Sequence, residues 1–250
     1  MKMPRAAREK SQNETYHIML RGINQQQIFE DEEDYQKFIE IVKTYQAISE
    51  YKVFAYCLMG NHIHLLMEFK KEPIEQVFKR IGSKYVYWYN VKYQRKGHLF
   101  QDRFKSEPVD DDPYFLTVIR YIHQNPVKAG LCKKVEDYKF SSFNEYLAES
   151  EMIDTEYVFS ILPKDAFIEY NNQPSSAMCL DIEEKAIKRV TDEEARKIIK
   201  NYSKCENVSE FQALPVGKRD KYLRIFKEKG ISIRQISRLT GVSYYVVQKI

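Results

Sequence analysis

The stretch KVFAYCLMGNHIHLLMEF, residues 52–69, decides the fold because its pattern is that of a β-hairpin. Two runs of β-prone and apolar residues, 52–59 and 62–69, flank the pair Gly60-Asn61. Such a pair between two such runs is typical of the tight turn that joins antiparallel strands. The sequence therefore predicts an antiparallel sheet that contains this hairpin.

The segments on both sides of the hairpin alternate between strand and helix patterns. Helices are predicted where apolar residues recur every three or four positions after acidic residues or proline. The predicted order is a strand over 16–20, a helix over 31–50, the hairpin, a helix from Pro73 to Gly97, short strands at 99–100 and 104–109, and a helix from 110 to Pro126. This order predicts an α+β fold, an antiparallel sheet with helices packed on one face.

The second strand of the hairpin begins with a pair of histidines. Successive side chains of a strand point to opposite faces, so His62 and His64 face the same way, and Ile63 faces the other. Two neutral imidazoles that lie side by side on an open face form half of a divalent-metal site. The alternative is a pair of hydrogen-bonded histidines on a half-exposed strand.

The helix that begins near Pro113 carries a candidate nucleophile. Tyr121 and Asn125 are four residues apart, so on a helix the phenol and the carboxamide project together. A phenol suits transesterification of a phosphodiester, because phenolate is a good leaving group and the covalent step can run backwards. Tyr121 is one of 19 tyrosines in the chain, so a role in the core is the alternative.

Several ordered blocks of the sequence resemble one known family. The blocks are MGNHIHLL at 59–66, GHLFQDRFKS at 97–106, RYIHQNPVKAGL at 120–131, and DY and FSS at 137–142. Together with Tyr16-His17 and Arg21-Gly22, they look like the REP-associated tyrosine transposases, an IS200-like branch of the single-tyrosine HUH (His-hydrophobic-His) superfamily. The resemblance spans roughly residues 15–146.

The resemblance implies a fold, a chemistry and a set of roles. The fold would be the ferredoxin-like HUH endonuclease fold. His62 and His64 would hold Mg²⁺ or Mn²⁺, and Tyr121 would cut single-stranded DNA, forming a 5′-phosphotyrosine and freeing a 3′-hydroxyl. Asn125 would complete the metal site or, because it precedes Pro126, cap the end of the helix. Relatives recognise DNA hairpins and often act as dimers, so a homodimer is expected.

Two other functions remain open at the level of sequence. A chain with this fold could be a non-catalytic DNA-binding regulator derived from a transposase. It could also be a related replication or mobilisation nuclease. Retention of His62, His64, Tyr121 and Asn125 together favours a metal-dependent transposase, or DNA-nicking and joining enzyme, over both.

Basic residues near the blocks are candidates for DNA contacts. Arg103 and Lys105 alternate on a predicted strand, so both could reach a phosphate backbone. Arg21 and Arg120 are further candidates, and ordinary surface charge is the alternative for all four. The two remaining histidines of the helical and loop segments, His98 and His123, are interpreted as structural.

The rest of the chain predicts a second, helical module. The 250 residues are 43% hydrophobic with a net charge of +4, and the basic excess is concentrated at the C-terminal end, after an acidic middle. We expect a catalytic domain over 1–146, a linker and acidic segment over 147–180, and a helical module over 181–250. Its last part, 231–250, has the pattern of a helix-turn-helix with Gly241 in the turn, Ser243 as cap, and Tyr244 and Lys249 facing a DNA groove. The partner would be duplex DNA, or alternatively a protein.

Composition also restricts the cell compartment. The four cysteines are scattered and contain no CxxC pair, so they are expected to be reduced thiols. No apolar run is long enough to span a membrane, and residues 1–10 are basic and polar. We therefore expect a cytoplasmic protein without a membrane partner.

Overall fold

The computed structural model of the chain describes residues 8–148, 150–175, 177, 179–181, 190 and 192–250. The chain divides into two compact units, Met1–Asp181 and Ile182–Ile250. The helical module that was predicted over 181–250 is described at residues 181, 190 and 192–250. Residues 182–189 and 191 lie outside the described residues. No described helix is long and apolar enough to cross a membrane.

The first unit is built on one four-stranded antiparallel sheet. Its strands are β1 (Thr15–Arg21), β2 (Lys52–Met59), β3 (His62–Glu68) and β4 (Lys105–Pro108), in the order β2-β3-β1-β4. The connecting helices are α1 (Glu32–Ser49) and α2 (Ile74–Lys92). The resulting β-α-β-β-α-β order is the ferredoxin-like arrangement. The predicted hairpin and α+β class are confirmed, while Phe100 forms only an isolated bridge with Gly22.

Helices cover both faces of the sheet, which corrects the prediction of a single covered face. On the face of Ile63 and Leu65, α2 contacts the end of β3 through rings of Phe78 and Phe69, 6.1 Å apart. On the histidine face lies α3 (Asp112–Lys128), which packs Phe115 against Phe54 at 4.9 Å. The physical reason is that the histidine face is itself apolar over much of its area. Three fully buried neighbours of the histidines require cover there: Ala55, Cys57 and Leu66.

The helix α3 continues past the proline that was expected to end it. Asp111 caps its start by accepting a hydrogen bond from the backbone N–H of Tyr114, and Pro126 lies inside its last turn. A proline removes one backbone donor, but the backbone hydrogen bonds after it are kept and satisfy carbonyls of the last turn. Leu131 N–H donates to the carbonyl of Pro126, and Gly130 N–H donates to that of Val127. The helix ends at Lys128, so Asn125 is an interior residue.

The segment 147–180 is not a linker. Its described residues form α4 (Thr155–Ile161) and α5 (Lys164–Asn172), whose side chains Val158 and Phe167 are fully buried in the core of the first unit. Proline and asparagine in this segment suggested a connection between domains. Pro163 instead begins α5 and the asparagines end it, and burial of the apolar faces of α4 and α5 holds both helices on the unit.

The described part of the second unit contains five helices around an apolar core of its own. They are α6 (Asp192–Ser203), α7 (Val208–Ala213), α8 (Val216–Glu228), α9 (Ile233–Thr240) and α10 (Tyr244–Lys249). Between α9 and α10, Gly241 adopts a positive φ of 68°, where a side chain is disfavoured. Ser243 accepts a hydrogen bond from the N–H of Val246 and caps α10, as predicted. The four cysteines of the chain are free thiols.

Candidate active site

The two predicted metal ligands lie side by side at the start of β3. Their ring centroids are 5.2 Å apart, His64 is fully buried, and His62 is partly buried. The Nδ1 atom of His62 is 2.7 Å from the side-chain oxygen of Asn61. Because that oxygen accepts, Nδ1 donates, and the lone pair of His62 is then on Nε2. The structure therefore confirms the shared face that strand alternation predicts.

Behind His64 lies a second histidine on the neighbouring strand β1. The Nδ1 atom of His64 is 3.0 Å from Nε2 of His17, and Nδ1 of His17 is 2.8 Å from Oε1 of Glu107 on β4. The opposite ring nitrogen of His64, Nε2, is buried and has no hydrogen-bond partner among the described residues. A buried nitrogen without a partner is unusual, and it is what a ligand position would require.

Both histidines are held in the neutral form. Burial, followed by the proximity of His17 and His62, lowers the pKa of His64 well below its usual range. Burial also lowers the pKa of His62 to about 4, an effect that Asp181 opposes and Arg21 reinforces. Neutral imidazole is the form that binds a metal ion, so protons do not compete for these nitrogens at neutral pH.

Tyr121 on α3 is brought against this histidine cluster. Its ring centroid is 5.7 Å from that of His64 and 5.8 Å from that of His17. The side chain is buried, with 4% of its surface exposed. Burial, followed by the carboxylate of Asp181, raises the pKa of Tyr121 well above its usual value. The phenol is therefore protonated at neutral pH, and it has to lose its proton before or during an attack.

Asn125 lies one helical turn after Tyr121. Its Nδ2 donates to the backbone carbonyl of Tyr121 at 3.1 Å, and Ala129 caps the helix instead. The alternative prediction that Asn125 caps the helix end is therefore wrong. With the amide nitrogen engaged by the helix, the carbonyl oxygen Oδ1 is the atom of Asn125 that could serve a metal ion.

The donor set fits a divalent cation. It consists of two imidazole nitrogens with free lone pairs and one amide oxygen, which suits Mn²⁺ and, with water or phosphate oxygens added, Mg²⁺. In the described part of the chain, no group of three or more His, Cys, Asp and Glu side chains could hold a metal ion. The amide oxygen of Asn125 is the candidate third ligand that the family resemblance implies.

The predicted DNA contacts fall in several places. Arg21 pairs with His62 across β1 and β3 and lies at the site. The Arg120 guanidinium stacks on Tyr170 of α5, 4.1 Å from the ring centroid. Arg103 and Lys105 line a separate open groove of about 990 Å³, next to the start of β4. The other two candidates, Tyr244 and Lys249, lie on α10 in the second unit, and both are exposed.

Three residues of the cluster were not predicted from the sequence. They are His17, Glu107 and Asp181, and the first two come from strands that flank each other in the sheet. The alternation of β1 could have placed His17 on the histidine face, but only the strand order brings Glu107 to it. His123 has the structural role predicted for it, because its two ring nitrogens contact Asn171 Oδ1 and Ser142 Oγ, each at 2.8 Å.

Comparisons with known proteins agree with the resemblance found in the sequence. Residues 10–125 match the family model described as "Transposase IS200 like". The chain is 30% identical over 105 residues to a protein of Haemophilus influenzae named as a REP-associated tyrosine transposase; the match covers 38% of this chain and 60% of that protein. The predicted resemblance is thereby confirmed.

A solved structure shares the fold. It is a REP-associated tyrosine transposase bound to a REP hairpin, and it superposes with a TM-score of 0.54 over 73% of this chain and 98% of that one. The sequence identity is 17%, so this likeness concerns the fold alone.

Proposed function

We propose that this chain is a metal-dependent single-tyrosine transposase, because residues 10–125 match the model of the IS200-like transposase family. It would cut and rejoin single-stranded DNA at hairpin-forming sequences. The observation that carries the proposal is the approach of Tyr121 to within 5.7 Å of the His64 ring, since the two residues come from elements far apart in the sequence. A phenol that lies against two neutral imidazoles is a candidate catalytic constellation.

The proposed reaction is the one that the family resemblance implies, with these residues in its roles. Tyr121 Oη attacks a phosphorus atom of the DNA backbone, forming an Oη–P bond as the bond from phosphorus to the 3′-oxygen breaks. The phenol proton leaves Tyr121, and the 3′-oxygen takes up a proton to become a free hydroxyl. His62 Nε2, His64 Nε2 and Asn125 Oδ1 would hold Mg²⁺ or Mn²⁺. A bound divalent ion there supplies charge stabilisation to the non-bridging phosphate oxygens.

The substrate proposal rests on the family and on the basic residues. The structural relative was solved with a REP hairpin, and we propose a hairpin of single-stranded DNA as substrate here as well. Arg21, adjacent to His62, would contact the phosphate nearest the cut. Arg103, Lys105 and Arg120 would hold the backbone further away, where contacts position DNA without reading its sequence.

The second unit would bind duplex DNA through α9 and α10, acting as a helix-turn-helix. In its support, α10 exposes Tyr244 and Tyr245, with 40% and 81% of their surfaces accessible, together with Lys249. Aromatic and cationic side chains on a short capped helix suit a DNA groove. The family resemblance also implies a homodimer, which light scattering of the full chain would test as a mass twice that of one chain.

The proposal is tested by trapping the covalent intermediate. The full chain is incubated with an end-labelled pool of hairpin oligonucleotides and Mn²⁺, and the products are separated by denaturing electrophoresis. We expect a protein–DNA adduct that disappears with EDTA and in Tyr121→Phe. The control is Tyr157→Phe, which removes one hydroxyl hydrogen bond to Asp112 at the start of α3 and should leave the adduct intact.

A different result would favour a second function. Tyr121 is buried and its pKa is raised, which suits a residue that no longer reacts. If no oligonucleotide in the pool gives an adduct while hairpin DNA still binds, the chain is a non-catalytic DNA-binding regulator. If strands are cut but never rejoined, a nuclease of the replication or mobilisation type is the better description.

A further inference from the structure

Three polar side chains form a line across the sheet and end at the candidate metal site. Glu107 on β4 lies opposite His17 on β1, and their side chains meet at 2.8 Å. His17 then meets His64 on β3 at 3.0 Å. The three strands are neighbours, so the line is fixed by sheet register rather than by mobile loops.

The hydrogen bonds along this line determine where each proton is. A carboxylate only accepts, and Glu107 Oε1 accepts both from His17 Nδ1 and from the backbone N–H of Leu180, at 2.8 Å each. In the imidazole tautomer that donates from Nδ1 to Glu107, the lone pair of His17 is on Nε2. His64 must then donate from Nδ1, and its own lone pair is on Nε2, the buried atom that faces no described partner.

We infer that Glu107 and His17 are positioning residues that fix the tautomer and ring orientation of His64, so that its Nε2 lone pair is directed at the metal ion. This inference rests on the proposed function, since it assumes that His64 is a ligand. Carboxylates and carbonyls that hold the second nitrogen of a metal-bound histidine are a general feature of metal sites. Here the carboxylate acts through an intervening imidazole.

Satisfaction of buried polar groups alone does not explain the line. His17 and His64 are both fully buried, and a pair of imidazoles in an apolar sheet face costs free energy compared with apolar side chains of similar size. A line built only to satisfy these groups would end on a partner. It ends instead on His64 Nε2, which has none within the described residues. His123, equally buried, has both ring nitrogens bonded.

The tautomer is measured directly in the metal-free full chain. Nitrogen NMR of ¹⁵N-histidine-labelled protein resolves the ring nitrogens of five histidines, and His64→Ala assigns the relevant signals. We expect His64 with the proton on Nδ1 and an unprotonated Nε2. In Glu107→Gln, the neutral amide is a weaker acceptor for His17, and the Nε2-protonated form of His64 should become detectable. A wild-type His64 protonated on Nε2 overturns the inference.

The second measurement is the affinity for Mn²⁺ alone, without DNA. His17→Phe removes both hydrogen bonds of the line at nearly constant volume, and we expect the Kd for Mn²⁺ to rise by about 10–100-fold. Glu107→Gln should give a smaller increase and serves if His17→Phe does not fold. The matched control is His123→Phe, which removes an equally buried histidine and two hydrogen bonds outside the line. Its Kd should remain within about twofold of the wild type, well below the increase expected for His17→Phe.

These outcomes separate the two claims. If the DNA adduct does not form but the His64 tautomer and the Mn²⁺ affinities behave as expected, the proposed function fails and the positioning role stands. If the adduct forms and neither Glu107→Gln nor a folded His17→Phe changes the Mn²⁺ affinity, the positioning role fails and the proposed function stands.

Discussion

Two buried histidines of the first unit show how the environment of single residues distinguishes structure from chemistry. His123 has both ring nitrogens hydrogen-bonded, to Asn171 and Ser142. His64 is buried to the same extent, yet only its Nδ1 is bonded, to His17, within the described part of the chain. An unsatisfied buried nitrogen costs free energy, so it persists where a ligand is meant to occupy it. The phenol of Tyr121 lies beside the ring of His64, where a bound metal ion would act in the reaction that we propose.

The environment of His123 leads to a prediction about stability and pH. Burial lowers the pKa of His123 to about 4, against an ordinary value of 6.5. Between pH 6.5 and 4, His123 binds a proton in the unfolded chain but not in the folded chain. The free energy of unfolding therefore falls as the pH falls through this range. The loss from this residue is about 3 kcal/mol. Chemical denaturation at several pH values should show a shallower loss in His123→Phe than in the wild type, and an equal loss would contradict the assignment.

At the scale of elements, the turns and helices around the sheet make different demands on glycine. A Cβ on Gly22, which follows β1, would lie 2.2 Å from the backbone oxygen of Gln26 and 3.0 Å from Ile28. A Cβ on Gly82, in the middle of α2, would meet nothing within 4 Å. The first glycine is therefore required by a close approach of two backbone segments, whereas the second only weakens its helix.

This contrast predicts opposite effects of the same substitution. Gly82→Ala should raise the free energy of unfolding by about 1 kcal/mol, the difference in helix propensity between the two residues. Gly22→Ala should lower it by about 1–3 kcal/mol, because the methyl group overlaps backbone atoms that cannot move aside separately. Urea unfolding of the two variants beside the wild type measures both. Equal effects of the two substitutions would show that the close approach at Gly22 is not rigid.

The elements also show what could be predicted from the sequence. The hairpin at 52–69 and the helix starts at Pro73 and Asp111 were predictable, because turns and caps depend on neighbouring residues. The cover of the histidine face by α3 was not predictable, since it follows from tertiary burial of Cys57 and Leu66 rather than from any local pattern. The same holds for the contact between Glu107 and His17, 90 positions apart, which only the strand order determines.

For the candidate site, the sequence predicted the residues better than their surroundings. Spacing and resemblance together named His62, His64, Tyr121 and Asn125. The structure brings the rings of the first three together and places Asn125 one helical turn after Tyr121. The expectation that Pro126 ends the helix next to Asn125 was wrong, because the helix continues to Lys128 and later N–H groups donate to the carbonyls of its last turn. Asp181 was not identified as a site residue, because the sequence indicated it as the start of the helical module, and only the tertiary structure brings it to Tyr121.

At the scale of the whole molecule, the chain divides its apolar residues between two separate cores. The first unit buries the sheet together with α1 to α5. The second unit has a smaller core of its own, which includes Phe211, Leu223, Phe226 and Ile236. Each unit thus has the apolar core that an independent fold requires, and each carries its own candidate DNA contacts.

If the second unit binds duplex DNA and the first forms the hairpin adduct, a substitution in the second unit should weaken only duplex binding. Lys249→Ala in the full chain should weaken binding to duplex DNA and reduce the slope of log affinity against log salt by about 1, the value for one phosphate contact. The hairpin adduct should form as in the wild type. The control is Lys197→Ala, whose ammonium pairs with Glu193 on α6 and which should leave the slope unchanged. Unchanged duplex binding in Lys249→Ala would contradict the role of α10.

The central claim is that Tyr121 becomes bonded to DNA, and mass spectrometry of the digested adduct tests it most directly. Trypsin cleavage after Arg120 and Lys128 releases residues 121–128, a peptide whose only tyrosine is Tyr121. The account predicts that the nucleotide remnant is found on this peptide, joined through phosphate to the phenol oxygen. A remnant on a peptide that contains any other tyrosine, or an adduct that persists in Tyr121→Phe, would contradict it.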